Sequence, residues 1–170
     1  VAVLRTHEDK QFPGGIIASL SFPWGFSQGD GDRSGYHMVW PRDQVEAAGA
    51  LIACGQAARA RETLIYLMAT QAKDGHWPHN MWLNGKTQLG GLQSDETAFP
   101  ILLADSLRRH DTLNNLDVWP SMRKAAAFLV QKGPSTSQDR WEENSGVSVF
   151  TLAVEIAALL AAADFADDAN

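Results

Sequence analysis

Three short segments of the chain combine carboxylates, aromatic rings and amide side chains. They are YHMVWPRD at 36–43, GLQSDE at 91–96 and RWEENSG at 140–146. Each segment leads into a stretch with helical periodicity, so the partial positive charge of a helix N-terminus lies nearby. Aromatic faces that stack on sugar rings and carboxylates that transfer protons indicate carbohydrate chemistry.

Glu142 is the strongest catalytic candidate, since it follows Trp141 and precedes its helix by several residues. Glycoside hydrolysis needs an acid that protonates the leaving oxygen and a second carboxylate, which inverting enzymes hold about 6.5–9.5 Å away. Trp141 offers an apolar wall that favours the protonated acid. Neighbours in an extended loop point in opposite directions, so Glu142 and Glu143 are not one acid–base pair. A solvated acidic loop is the alternative interpretation.

Asp43 and Asp95 also have a purely structural interpretation, because acidic residues are common in the first turn of a helix. His76 and His79 flank Pro78, and no cysteine or carboxylate completes a zinc set there. The sequence therefore predicts no metal site. It also contains no nucleotide or other cofactor motif, so no cofactor is predicted.

The periodicity predicts an all-α chain of five helices. They span Asp43 to Cys54, Gln56 to Gln71, Asp95 to His110, Val118 to Gln131, and Val149 to Phe165. The first, third and fifth are apolar and inner; the others are amphipathic and outer. Hairpins of this kind form a solenoid or a closed toroid. The inner helices then run parallel, and the loops that precede them gather on one rim.

The organisation predicted along the chain has two parts. Residues 1–40 form a lead-in with a strand-like segment from Ile16 to Phe22 and a loop rich in Gly and Asp. Residues 41–170 form a partial helical barrel. Cys54, the lone cysteine, is predicted to be a buried thiol; it allows no intrachain disulfide and leaves the compartment open.

Composition limits the partners. The net charge of −6 and the scattered basic residues argue against nucleic acid. No stretch approaches the roughly 18 apolar residues of a membrane helix, which argues against a membrane.

The chain resembles glycoside hydrolase family fifteen, the glucoamylase and glucodextranase family. The resemblance lies in IASLSFPWG, GYHMVWPRDQ, DGHWPHNMWLNG, GLQSDETAFPILLA and RWEENSG. It implies an (α/α)6 barrel, of which this chain is the N-terminal part. It also implies Glu142 as the general acid and Glu143 as a substrate-contacting neighbour. Arg42 and Asp43 resemble the pair that grips the terminal glucose, and Tyr36 the aromatic ring packed near it. The same motifs add Trp40, Asp95 and Trp141 as substrate-binding candidates.

The resemblance implies an inverting exo-hydrolase that removes glucose from the non-reducing ends of α-glucans without a cofactor. Family catalytic domains are much longer and carry the base in a later loop. This chain is therefore expected to supply the acid and the terminal-glucose pocket, and to be inactive alone. A sugar-binding half-barrel without activity, a trehalose hydrolase and a phosphorylase are the alternatives. An open half-barrel also exposes apolar helix flanks, so self-association is expected.

Overall fold

A computed structural model describes residues 1–20, 36–88 and 91–169. Its helices are α1 (Ala2–Thr6), α2 (Pro41–Ala53), α3 (Ala57–Thr70), α4 (Ser94–Arg109), α5 (Trp119–Lys132) and α6 (Val149–Asp168). Across these described ranges, β structure is limited to isolated bridges. The all-α prediction is confirmed, and the five predicted helices are α2 to α6, with boundaries that differ by at most three residues.

Local sequence explains where the helices begin and end. Pro41 opens α2, and Pro120 lies in the first turn of α5. Backbone N–H groups in the first turn of a helix have no acceptor within the helix, so a proline there loses no hydrogen bond. The Ser148 side chain caps α6 by accepting from the N–H of Thr151. Gly55 follows α2 at a φ of 72°, which lets the chain turn back into α3.

The helices pack as predicted for paired layers. The inner helices α2, α4 and α6 adjoin in that order, α3 packs on α2 and α4, and α5 packs on α4 and α6. Helix α4 lies at the centre, and its buried residues cover most of its surface. Its first turn is acidic and its last turn basic, which complements the helix dipole. The central position of α4 puts its N-terminus between the two other inner helices.

Helix α6 has an exposed apolar face. It packs on α4 and α5, but Val149, Ile156 and Leu160 are each more than half exposed. The helix is long and apolar enough to cross a membrane. Core helices of soluble proteins also meet this criterion of length and composition. The statement that no stretch approaches membrane-helix length is therefore wrong for Val149–Asp168. Self-association through this face stays a prediction.

Two other expectations differ from the structure. The strand expected at Ile16 to Phe22 does not form over residues 16–20, where Ile16 makes only an isolated bridge with Glu8. Residues 21 and 22, and the loop rich in Gly and Asp, lie outside the described residues. The lead-in instead contains α1. Cys54 is exposed, because α2 ends at Ala53 and the cysteine lies in the turn beyond it.

The loop from 71 to 88 is tightly anchored. Trp77 is fully buried, and its indole N–H donates to the Leu67 carbonyl at 2.8 Å. The Gln71 amide donates to the carbonyls of Gly75 and Ser121, which ties the loop to the start of α5. Val39 and Met81 exchange backbone hydrogen bonds at 2.9 Å. This loop is therefore a fixed support for the side chains that follow Trp77.

Replacing Gly75 should destabilise the fold markedly. Its φ is 102°, and an added Cβ would lie 2.3 Å from the Lys124 carbonyl oxygen of α5. We expect Gly75→Ala to lower the free energy of unfolding by about 2–4 kcal/mol, from backbone strain plus overpacking. Gly55→Ala is the control, since its φ is also positive but no atom lies near the added Cβ. Urea unfolding measures both; equal losses would show that the contact with α5 costs nothing.

Candidate active site at the inner-helix N-termini

Arg42, in the first turn of α2, binds the start of α4. Its Nη1 donates to Gln93 Oε1 at 2.9 Å and to Asp95 Oδ2 at 2.8 Å. The same nitrogen lies 3.3 Å from Glu96 Oε1, and the Arg42 backbone N–H donates to Glu96 Oε2. Gln93, Asp95 and Glu96 are fully buried, whereas the Arg42 side chain keeps 16% of its surface exposed. The first two predicted loops therefore meet at this guanidinium.

The charges in this cluster are unequal, with two buried carboxylates for one guanidinium. Asp95 makes the short ion pair with Arg42. Burial raises the pKa of the Glu96 carboxyl well above its usual value, and this effect exceeds the opposite effect of Arg42. A neutral Glu96 leaves one ionised pair, which is the arrangement that burial favours.

The third loop is organised by Asp139. Its Oδ1 accepts from the N–H groups of Trp141 and Glu143, and its Oδ2 accepts from the Asn144 amide. The hydrogen bond from the Glu143 N–H is the main reason that the pKa of Asp139 is lowered. Glu142 sits at the turn with a φ of 64°, so the loop is not extended there. The alternation of side chains expected of an extended loop therefore does not hold for Glu142 and Glu143.

Hydrogen bonds join this third loop to the second. The Ser137 hydroxyl accepts from the Leu92 N–H at 2.9 Å, and the Thr136 hydroxyl accepts from the Ser94 N–H at 3.2 Å. Thr136 and Ser137 also donate to the Leu92 carbonyl. These bonds hold the start of α4 against the segment that leads to Glu142.

Glu142 has a partner that the sequence analysis did not assign to the site. His79 Nε2 lies 3.0 Å from Glu142 Oε1, and the His79 side chain is 1% exposed while that of Glu142 is 45% exposed. The two residues are 63 positions apart, so no local pattern in the sequence connects them. His79 was considered there only as a zinc ligand. Gln93 and Glu96, which hold Arg42, were likewise not singled out.

An aromatic row leads toward Glu142. The rings of Tyr36 and Trp40 stack with centroids 5.3 Å apart, and Trp40 meets His79 edge-on at 6.4 Å. Tyr36 is 44% exposed. Stacked rings that are partly exposed suit the apolar face of a sugar. The structure thus brings Tyr36, Trp40 and Glu142 into one row through His79.

The other predicted site residues lie around this row. Asp95 differs from the expectation of a sugar contact, because it is fully buried beneath Arg42. Asp43 is exposed and, with Trp40, lines a recess of about 220 Å³ on the side of α1. Trp141 is 70% exposed and stacks with the Arg140 guanidinium, so it does not enclose Glu142. The Glu143 side chain is exposed beside it.

The arrangement provides a half-exposed carboxyl group, an aromatic platform and an anchored guanidinium on one rim. Among the described residues, no group of three or more His, Cys, Asp and Glu side chains could hold a metal ion. Proton transfer from Glu142 and hydrogen bonding from Arg42 are the chemical functions that these side chains offer.

Comparison with known proteins identifies the same architecture. The profile of the family described as "Glycosyl hydrolases family 15" matches residues 1–170. A glucoamylase of Clostridium sp. (strain G0005) is 43% identical over 165 residues, which are 97% of this chain and 23% of that protein. An uncharacterized glycosyl hydrolase of Methanocaldococcus jannaschii is 30% identical over 151 residues, covering 86% of this chain and 23% of that protein.

A solved structure agrees with these sequence matches. The crystal structure of a bacterial glucoamylase complexed with acarbose superimposes with a TM-score of 0.88 and 41% identity. The match covers 99% of this chain and 24% of that one. The prediction of part of an (α/α)6 barrel is thereby confirmed. The chain spans about a quarter of the length of the proteins that it matches.

Removing the guanidinium should destabilise the rim. Arg42→Met leaves Asp95 buried without its counter-ion, and we expect a loss of about 3–5 kcal/mol in the free energy of unfolding. Arg59→Met is the control, because the Arg59–Glu62 pair lies on the surface and should contribute little. Urea unfolding of both variants measures the difference. A similar small loss in both would show that the buried cluster does not hold α2 and α4 together.

Glu96 should make stability fall as pH rises. Its raised pKa means that the folded chain keeps a proton that the unfolded chain releases near 4.5, the ordinary pKa of glutamate. The free energy of unfolding therefore decreases from about pH 4.5 until the folded pKa is passed. Glu96→Gln should remove this part of the slope in urea unfolding at a series of pH values, whereas Glu62→Gln should keep it. An unchanged slope in Glu96→Gln would contradict a neutral Glu96.

Proposed function

Because the chain belongs to glycosyl hydrolase family 15, we propose that it is part of an inverting exo-glucosidase that removes glucose from the non-reducing ends of α-glucans. The glucoamylase name of the Clostridium relative and the acarbose in the related crystal structure support an oligosaccharide substrate. The observation that carries the proposal is the position of Glu142, half-exposed at the end of an aromatic row on the rim.

Glu142 is the general acid in this proposal. A group that protonates a glycosidic oxygen must be within reach of the substrate. The Glu142 side chain is 45% exposed and so can reach it, and its Oε1 contacts His79. The general base is assigned to a region of the barrel outside these 170 residues, because the chain spans about a quarter of its relatives.

The terminal glucose lies against Tyr36 and Trp40 in this proposal. Arg42 fixes its hydroxyl groups with the N–H donors on Nε and Nη2, while Nη1 stays bound to Gln93 and Asp95. Asp43 accepts from further hydroxyl groups at the edge of the recess. Asp95 acts through Arg42. Glu143 and Trp141, both exposed, contact the sugar on the leaving side. In this proposal Arg42 closes one end of the sugar site, so that only the end of a glucan chain fits and the attack is exo-acting.

The proposed acid is tested in a complete barrel. This chain replaces the matching segment of the Clostridium glucoamylase, and glucose release from maltooligosaccharides and isomaltooligosaccharides is followed by NMR, which resolves the anomer. The graft should release β-glucose. Glu142→Gln should lower kcat by about 10²–10⁴-fold with little change in KM, because an amide cannot donate the proton. The 170-residue chain alone should release no glucose.

Glu143→Gln is the matched control and should raise KM more than it lowers kcat. An unchanged kcat in Glu142→Gln would overturn the acid assignment, and α-glucose as first product would overturn inversion. Glucose release by the 170-residue chain alone would place the base within it. Release that depends on phosphate would favour the phosphorylase alternative.

A further inference from the structure

We propose that His79 is the positioning residue of Glu142, donating its Nε2 hydrogen to Oε1 and thereby placing the acidic proton on Oε2. This inference rests on the proposed function, from which it takes Glu142 as the general acid. The contact itself, 3.0 Å between Nε2 and Oε1, stands independently of that function.

Burial decides which nitrogen of His79 carries the proton. Its Nδ1 is buried and has no hydrogen-bond partner among the described residues. An N–H without an acceptor costs more in a buried site than a bare lone pair, so the proton belongs on Nε2. Two groups lie within reach of this nitrogen, Glu142 Oε1 at 3.0 Å and the Asn80 amide nitrogen at 3.1 Å. The amide nitrogen is itself a donor, so the Nε2 hydrogen can be accepted only by Glu142 Oε1. The neutral ring is thus held as a donor to the carboxyl group.

The ring has little freedom to turn away. His79 is 1% exposed, and Trp40 packs against it edge-on. The loop beneath is fixed by buried Trp77 and by the backbone bonds between Val39 and Met81. His79 is therefore a rigid donor, set in an anchored loop.

Glu142 needs such a donor because its own surroundings do not fix its side chain. Asp139 binds the backbone around it, but His79 makes the one hydrogen bond of the Glu142 side chain within the described part of the chain. The Trp141 ring packs against the Arg140 guanidinium and does not cover Glu142. Without His79 the carboxyl group would sample several rotamers.

The hydrogen bond also directs proton transfer. With Nε2–H donating to Oε1, the neutral acid carries its proton on Oε2. When the O–H bond of Oε2 breaks, the proton moves to the glycosidic oxygen and the carboxylate keeps the bonding electrons. The same Nε2–H then stabilises the negative charge, because hydrogen bonds to charged acceptors are the stronger ones. Orientation before transfer and stabilisation after it come from one contact.

The first test reads the proton on His79 directly in the 170-residue chain. With ¹⁵N-labelled histidine, we expect His79 Nε2 to give a protonated, pyrrole-type ¹⁵N resonance, and its proton to be protected from exchange with water. Glu142→Ala should remove the protection, whereas Glu143→Ala should preserve it. A proton on Nδ1, or equal protection in Glu142→Ala, would overturn the proposal.

The second test follows the carboxyl group. With ¹³C-labelled glutamate, His79→Leu should shift the Glu142 carboxyl resonance. In His79→Gln the resonance should lie close to its wild-type position, because the glutamine amide can donate to Oε1. Equal shifts in both variants would contradict a positioning hydrogen bond. If His79→Leu does not fold, the proposal is still tested by the exchange protection of the His79 Nε2 proton in Glu142→Ala and Glu143→Ala. Failure of the proposed function would appear separately, as a graft in which Glu142→Gln keeps full kcat while the His79 resonances stay as expected.

Discussion

The arrangement of the rim depends on the burial of one guanidinium group, that of Arg42. Arg42 is largely removed from water, and a cation in that position needs an anionic partner within hydrogen-bond distance. That partner, Asp95, comes from the first turn of α4, so the N-termini of α2 and α4 must lie side by side. Both termini carry partial positive charge, and the buried Asp95 carboxylate offsets it, while the neutral Glu96 accepts the hydrogen bond from the Arg42 backbone N–H. The electrostatics of this cluster thus determine how two inner helices meet.

The remaining parts of the site are attached to this cluster step by step. Leu92, next to Gln93, binds Thr136 and Ser137, which fixes the loop before α6. That loop carries Glu142, and His79 binds Glu142 from the connection between α3 and α4. A small displacement of α4 would therefore reach Arg42 and Glu142 together. The stability of the rim and the proposed role of Glu142 therefore depend on the same contacts.

Regular periodicity made the helices predictable. Helix boundaries follow from apolar spacing and from residues such as Pro41 and Ser148, which act locally, so their positions were correct to within three residues. Cys54 was placed wrongly because α2 ends one residue before it, and one residue decides whether a side chain is inside a helix or in a turn. The left-handed conformation of Glu142 has no sequence marker, since glutamate rarely adopts it.

The missed role of His79 has a more instructive cause. Loops that precede parallel inner helices gather on one rim, and the contacts of Arg42 and Glu142 agree with this rule. The motifs that are evident in the sequence, however, lie in the few residues just before each helix. Yet the connection from α3 to α4 runs from residue 71 to 93, and all of it precedes an inner helix. His79 satisfied the rule from the start. In a helical barrel the whole connection must be searched for polar side chains, because a long loop can fold back and place its middle at the site.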